Sequence, residues 1–353
     1  MKTFDRYLLK IFGRFFALVT VALLIVFDLF DLLNQLSLVG EGSYHLNKAF
    51  LYVLLTSGSK VSALLPVLGL LSVLLAQGQL VDRNEALALE AAGFSRRRQA
   101  LVILFGLFGL SLFLWGLEEG FLKRVEVKAW RMRTRALAAK KFTPYKEGFW
   151  AKSDDLFLRV GRVLDDHLLE EVELFGFEGE RLKLYLSAPL GKAQKEEWIL
   201  WRAKERRLFP QRVEEKTYPK LTLRVPFPPD QVEKFALPLD FLDLKTLWQY
   251  QRTLKAGGQN VYRYTLTLWE RAVTPLLSLA MGLLALSFTA TPLKRKKPVL
   301  TRLVGGLFGG LLLYLLREAL AHAGRVFNLP VPLVALAPLI LILTLAALRL
   351  KRA

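Results

Sequence analysis

Cysteine is absent from the chain, which excludes disulfides, thiolate metal sites and a cysteine nucleophile together. Histidine is nearly as scarce. His45, His167 and His322 fall in a loop, a polar region and an apolar run, without ligand spacing. Neither a G-x-x-x-x-G-K-S/T phosphate loop nor an H-E-x-x-H helix occurs, so nucleotide hydrolysis of the P-loop kind and zincin chemistry lie outside its repertoire. No catalytic residue, metal or cofactor is expected. Low-complexity segments and short-period repeats are missing too, and the matched halves described below hint only weakly at an internal repeat.

What is present is an excess of two opposites. Of 353 residues 53% are hydrophobic, yet the formal net charge is +19. A soluble protein rarely combines the two, whereas a membrane protein separates them along the chain as apolar spans and charged flanks. The Lys and Arg residues cluster beside hydrophobic runs, where anionic lipid headgroups attract them, and this argues against nucleic acid as a partner.

Six apolar runs meet or approach the roughly 20 residues that a span requires. They are Phe15–Leu38, Ala49–Ala76, Ala100–Leu117, Leu266–Phe288, Leu300–Ala323 and Val331–Leu348. The first follows Lys2, Arg6, Lys10 and Arg14, exceeds a signal-peptide h-region and lacks a small-residue cleavage site, so it reads as a retained span. Between the third and fourth runs the character changes. Glu118–Lys141 reads as a helical stalk, and alternating runs follow at Leu156–Val163, Glu171–Phe177, Arg181–Ser187, Glu197–Trp201 and Lys220–Val225. Period-two patterns punctuated by Gly, Pro and Asp predict antiparallel strands. Pro219, Pro226, Pro228 and Pro229 break the last of them, and Leu239–Leu254 reads as a helix returning to the membrane.

The expected fold is thus a polytopic α-helical membrane protein, six transmembrane helices arranged three and three, with an inserted antiparallel β domain. Its segments are 1–118, 119–260 and 261–353. Basic residues near span ends stay cytoplasmic. The N-terminus, Arg83 with Arg96–Arg98, Lys294–Lys297 with Arg302, and the tail Arg349, Lys351 and Arg352 then share the cytoplasmic side. The loops Val39–Lys48 and Gly324–Leu329, and the β domain, fall on the other.

Ionisable residues inside spans are costly in hydrocarbon and face a partner or a cavity. Lys60 either snorkels to the outer headgroups or faces such a cavity. Arg317 either neutralises Glu318 or lines a path for an anionic headgroup. Lys48 and Arg325 join these as candidates for lipid contact. Asp28 and Asp31 sit near headgroups or face other helices. Gly305, Gly306, Gly309 and Gly310, spaced by four in two registers, allow close helix packing.

The stretch Gly78–Arg98, GQLVDRNEALALEAAGFSRRR, interrupts the apolar runs with a short helix from Glu85 to Ala92. Asn84 is its expected N-cap and Gly93 its stop. Leu89 is the same-face neighbour of Glu85 by four-residue spacing.

These features resemble the LptF/LptG family of lipopolysaccharide export permeases over nearly the whole chain. Gly78-Gln79-Leu80, Asn84-Glu85-Ala86 and Ala91-Ala92-Gly93-Phe94-Ser95 are similar to the family's cytoplasmic pattern. Asp5-Arg6-Tyr7, Leu65-Pro66, Trp198-Ile199-Leu200, Trp269-Glu270-Arg271 and Pro275-Leu276 support it. The resemblance implies an inner-membrane, non-catalytic subunit with a periplasmic jellyroll-like β domain, paired with a related permease subunit around a cavity. It implies an LptB-like ATPase docked at the coupling helix near 80–93, LptC-like and LptA-like periplasmic partners, and lipopolysaccharide or a related anionic glycolipid as cargo. The family's coupling carboxylate maps onto Glu85, with Arg83, Ala88, Leu89 and Gly93 completing the docking set. Two departures stand out: Asn34–Glu41 carries no basic residue, so that Lys48 is the first candidate for a lipid phosphate, and Glu90 adds a negative charge to the coupling helix. The alternatives are an ion-coupled secondary transporter built on Asp28, Asp31, Lys60, Arg317 and Glu318, and a non-transporting scaffold of the cell envelope.

Overall fold

The computed structural model describes residues 3–138, 149–153, 155–163, 168–179, 181–194, 197–209, 212–224, 237–256, 260–289 and 299–352. Helices α1 (Thr3–Leu36), α2 (Leu46–Asp82), α3 (Glu85–Ala91), α4 (Arg96–Leu117) and α5 (Lys123–Ala138) come first, α4 and α5 being joined by a π-helical turn at Glu118–Leu122. Strands β1 (Phe149–Ser153), β2 (Leu156–Val163), β3 (Leu168–Glu178), β4 (Arg181–Gln194), β5 (Glu197–Leu208) and β6 (Val213–Arg224) follow. A 3₁₀ turn (Leu239–Phe241) precedes α6 (Leu244–Ala256), α7 (Tyr262–Thr289), α8 (Val299–Phe327) and α9 (Val331–Arg352). Among the described residues six helical stretches are long and apolar enough to cross a bilayer: α1, α2, α4 continued through α5, α7, α8 and α9. Three therefore stand on either side of the β insertion, as the apolar runs predict.

The chain divides into two compact units, one formed by 1–35, 53–126 and 262–353, the other by 36–52 and 127–261. In the first, α2 and α7 are the interior helices: 67% and 61% of their apolar windows are buried, against 11% for α1 and 17% for α8. Small residues explain why these two lie inside. Lipid tails are as apolar as leucine, so helices associate by close packing and interhelical hydrogen bonds. A Cβ on Gly282 would lie 2.3 Å from Leu107 Cδ2, and one on Gly69 would lie 2.7 Å from Ser278 Oγ. Ser278 donates to the Leu65 carbonyl (3.0 Å) and accepts from Ser111 (3.0 Å), so α2, α4 and α7 are stitched where their backbones come nearest.

The third span continues into the stalk helix as expected, through one π-helical turn. Lys123 pairs with Glu118 and with Glu126, each at 3.1 Å, and all three side chains are largely buried. Positions i and i+5 sit about 140° apart around an α-helix. The wider π turn brings Glu118 and Lys123 onto one face, so the ion pair and the local register support each other.

In the second unit the strands pair antiparallel in chain order, β1 to β6. Leu158, Val160, Val172, Leu174, Leu186, Trp198 and Leu200 form the core of one face. The register of every pair from β2 to β6 is interrupted along a single row, Gly161, Glu171, Pro189, Arg202 and Pro219. Glu171 (φ 54°) and Arg202 (φ 53°) adopt left-handed backbone there, and the two prolines have no N–H to give to the ladder. Pro219 thus interrupts pairing without ending the strand, and β6 runs on through it to Arg224. The inward set changes parity across the row: Trp198 and Leu200 are buried before it, Ala203 and Glu205 after it. This is why alternation in the sequence predicts only Glu197–Trp201 and Glu171–Phe177, whereas the strands continue to Leu208 and begin at Leu168.

Candidate functional site

The short helix α3 hangs between two left-handed turns. Asn84 has φ 57° and ψ 14°, and its side chain makes no capping hydrogen bond. The expected side-chain N-cap is therefore a backbone turn instead, at one of the residue types that tolerate left-handed backbone best. At the other end Gly93 (φ 86°) donates to Glu90 O and Phe94 donates to Leu89 O, both at 2.9 Å. That pair of bonds is the Schellman termination, with Leu89 and Phe94 supplying its buried apolar contact. Ser95 then caps α4 by accepting from Arg98 N (3.4 Å), and Gln99 Nε2 donates to the Ala86 (3.3 Å) and Phe94 (3.0 Å) carbonyls. The Ala-Ala-Gly-Phe-Ser run is thus a helix stop and a helix start fused.

Glu85 opens α3 and is partly exposed; it accepts from Tyr7 Oη on α1 at 2.7 Å, and Arg83 lies at 4.0 Å. Arg83 and Ala88 face outward, but Leu89 is buried in the helical core. Leu87, which sequence reasoning missed, is the exposed apolar side chain of the helix, half accessible. Glu90 is bound by Arg96. The first turns of α1 supply further contacts: Asp5 pairs with Arg98 (3.4 Å), Phe4 packs on Phe94 with centroids 4.5 Å apart, and Arg98 lies 4.7 Å over the Phe94 ring. No spacing rule signals these, because the partners are about 80 to 90 residues distant.

Toward the other end of α1, Lys60 is held by Asp28 (2.6 Å) and Asp31, and Ser57 donates to the second Asp28 oxygen (2.6 Å). Its ammonium is thus engaged within the chain, with the side chain 19% exposed. Arg317 pairs with its neighbour Glu318 (2.9 Å) and lies 5.9 Å from the Tyr314 ring; Arg325 reaches Glu270 (3.5 Å). Gly306 and Gly310 face Leu74 and Leu70 of α2, whose side chains a Cβ would meet at 2.8 and 2.0 Å; Gly305 and Gly309 face Phe288.

Lys48 lies elsewhere, in the second unit. With Ser43, Lys128, Arg131, Met132, Arg135 and Ala136 it lines an open cavity of about 440 Å³ between the start of α2 and α5. Lys48 Nζ donates to Ser43 O (2.8 Å), and Ser43 N donates to Ala136 O (2.9 Å), which fixes the cavity floor. Burial pushes the phenol of neighbouring Tyr44 above its ordinary value. Four cationic side chains around one hollow suit a polyanionic group. Sequence reasoning found Lys48 and missed Lys128, Arg131 and Arg135, since only folding sets the stalk beside the loop. Lys294–Lys297 of the expected basic flank, His167, and the strand-breaking Pro226, Pro228 and Pro229 lie outside the described residues.

The profile of the lipopolysaccharide export system permease family LptF/LptG matches residues 6–352. The chain is 29% identical over 338 residues to the lipopolysaccharide export system permease protein LptG of Escherichia coli strain K12, covering 95% of this chain and 94% of that protein. It is 28% identical over 353 residues to the LptG protein of Haemophilus influenzae, covering 98% and 97%.

Proposed function

Because the chain belongs to the LptF/LptG family of lipopolysaccharide export permeases, we propose that it is the non-catalytic membrane subunit of an ATP-driven exporter that extracts lipopolysaccharide or a related anionic glycolipid. The relatives named above are LptG proteins, which favours a G-like subunit paired with a second, F-like permease. The termini and α3 face the cytoplasm, the β domain the periplasm, and LptC-like and LptA-like proteins receive the lipid beyond it. A separate LptB-like chain hydrolyses the ATP and docks on the exposed side of α3, where Glu85, Arg83, Leu87 and Ala88 are presented. The hollow around Lys48, Lys128, Arg131 and Arg135 receives lipid phosphate. A conformational cycle of this kind works only if nucleotide and lipid bind its states with different affinity.

The observation that carries the reading is the polar α3 element set between two long apolar helices, with one carboxylate presented at its start. Glu85→Lys reverses that charge and is expected to abolish copurification of the ATPase from native membranes while the permease still inserts. Retained binding and lipid release would sink the docking claim. An ion-coupled transporter would lose lipid release when ion gradients are collapsed; the exporter keeps it as long as ATP is supplied.

A further inference from the structure

Resting on that docking role, we infer that α1 and the coupling helix α3 move as one block, and that Tyr7 is the residue that positions Glu85 for the motor. What fastens α3 decides how it moves. Its covalent neighbours in the chain meet it through left-handed turns at Asn84 and Gly93, which bend the path and transmit force poorly along it. Within the block, α4 holds α3 through Arg96 on Glu90 and Gln99 on the Ala86 carbonyl; α1 reaches α3 itself through Tyr7 on Glu85, and the start of α4 through Phe4 on Phe94 and Asp5 on Arg98. The tyrosine fixes Oε2 of the carboxylate that the ATPase would grip, and Oε1 lies 4.0 Å from the Arg83 guanidinium.

Helix α1 itself is long enough to carry that motion. It runs 34 residues without proline, about 50 Å at 1.5 Å per residue, whereas α2, α7 and α9 carry Pro66, Pro275 and Pro338 within them. A displacement of α3 therefore reaches the far end of α1 through one uninterrupted helix fastened at Tyr7. Glu85 without Tyr7 would still attract a cationic patch on the motor, but its pull would be spent on α3 alone.

The test uses the complete complex of this chain with its partner permease and ATPase, in phosphatidylethanolamine/phosphatidylglycerol vesicles loaded with lipopolysaccharide. ATP hydrolysis and lipid release are recorded together. Tyr7→Phe keeps the ring and removes only the donor. Loss of one hydrogen bond to a charged, part-exposed group is expected to lower lipid released per ATP about threefold to tenfold, with ATPase binding kept within about twofold. An unchanged ratio overturns the inference, since a merely structural ring would leave that ratio alone. Independently, the cysteine-free chain allows Phe4→Cys with Phe94→Cys to be bridged by a bismaleimide. A rigid block tolerates the bridge and goes on exporting; arrest of export by the bridge shows that α1 and α3 must separate, and refutes it. An unmodified complex that hydrolyses ATP and releases no lipid would instead overturn the export reading on which the inference rests.

Discussion

At its N-terminal end α1 is held by a mixed set of part-exposed contacts, and toward its C-terminal end by a cluster of charges inside an apolar span. The first set mixes a tyrosine hydroxyl, stacked rings and one ion pair, with Tyr7 41% exposed. The second consists of one ammonium between two carboxylates, the side chains of Lys60, Asp28 and Asp31 being 19%, 26% and 44% exposed. In water either partner of a pair can be hydrated alone, so such contacts orient more than they stabilise. Within hydrocarbon an abandoned charge has nowhere to go, so the same contact becomes obligatory. Fold stability and functional orientation are thereby assigned to opposite ends of one helix.

The comparison breaks most easily at Lys60. Lys60→Met leaves Asp28 and Asp31 facing one another without a counter-charge, and the expected loss is about 2 kcal/mol, below the range for breaking a fully buried pair because the Asp31 side chain is 44% exposed. Thermal unfolding in detergent measures it. Adding Asp28→Asn and Asp31→Asn should recover more than half of the loss, because the cost comes from uncompensated charge rather than lost packing. If Lys60→Met melts with the parent protein, the cluster is hydrated and the two ends do not differ.

A smaller effect is expected at the turn that fastens α3. Gly93 has φ 86° and no heavy atom within 4 Å of a built Cβ, so Gly93→Ala meets only the backbone penalty of a left-handed residue, about 1 kcal/mol. Amide exchange localises it: protection should fall in α3 and at Phe94, and stay unchanged around the Lys60 cluster. Spread of the loss into α2 and α7 would show that the two ends are not separable.

How much of this was legible beforehand follows from the range of each interaction. The spans, the insertion and the glycine stop of α3 depend on local composition and periodicity, and all are readable in sequence order. The strand ends at Leu168 and Leu208 are not, because the bend through Glu171 and Arg202 shifts the alternation and makes one strand resemble a strand and a loop. The Lys60 cluster was half legible: its three charges are conspicuous in apolar sequence, but only folding shows that they answer one another. Tyr7 on Glu85 and the cationic hollow were invisible, since each joins segments that no period relates. Leu89 misled for the opposite reason. Four-residue spacing does set it near Glu85, yet on so short a helix the edge between buried and exposed faces falls between them.

The smallest effect sharpens the comparison furthest. Asp5 meets Arg98 at 3.4 Å, with the arginine side chain 40% exposed, a geometry in which ion pairs contribute about 0.5 kcal/mol or less. Asp5→Asn should therefore leave the melting temperature within error, in contrast to Lys60→Met. Its consequence belongs to orientation: Arg98 loses one anchor while keeping its place over the Phe94 ring, and α3 gains freedom relative to α1. Double electron–electron resonance between labels on Ala91→Cys, exposed at the end of α3, and Lys10→Cys should show a broader distance distribution at an unchanged mean. A clear fall in melting temperature would place stability at the N-terminal end after all. A distribution as narrow as the parent's would leave Tyr7 and the Phe4–Phe94 stack sufficient by themselves to hold the coupling helix on α1.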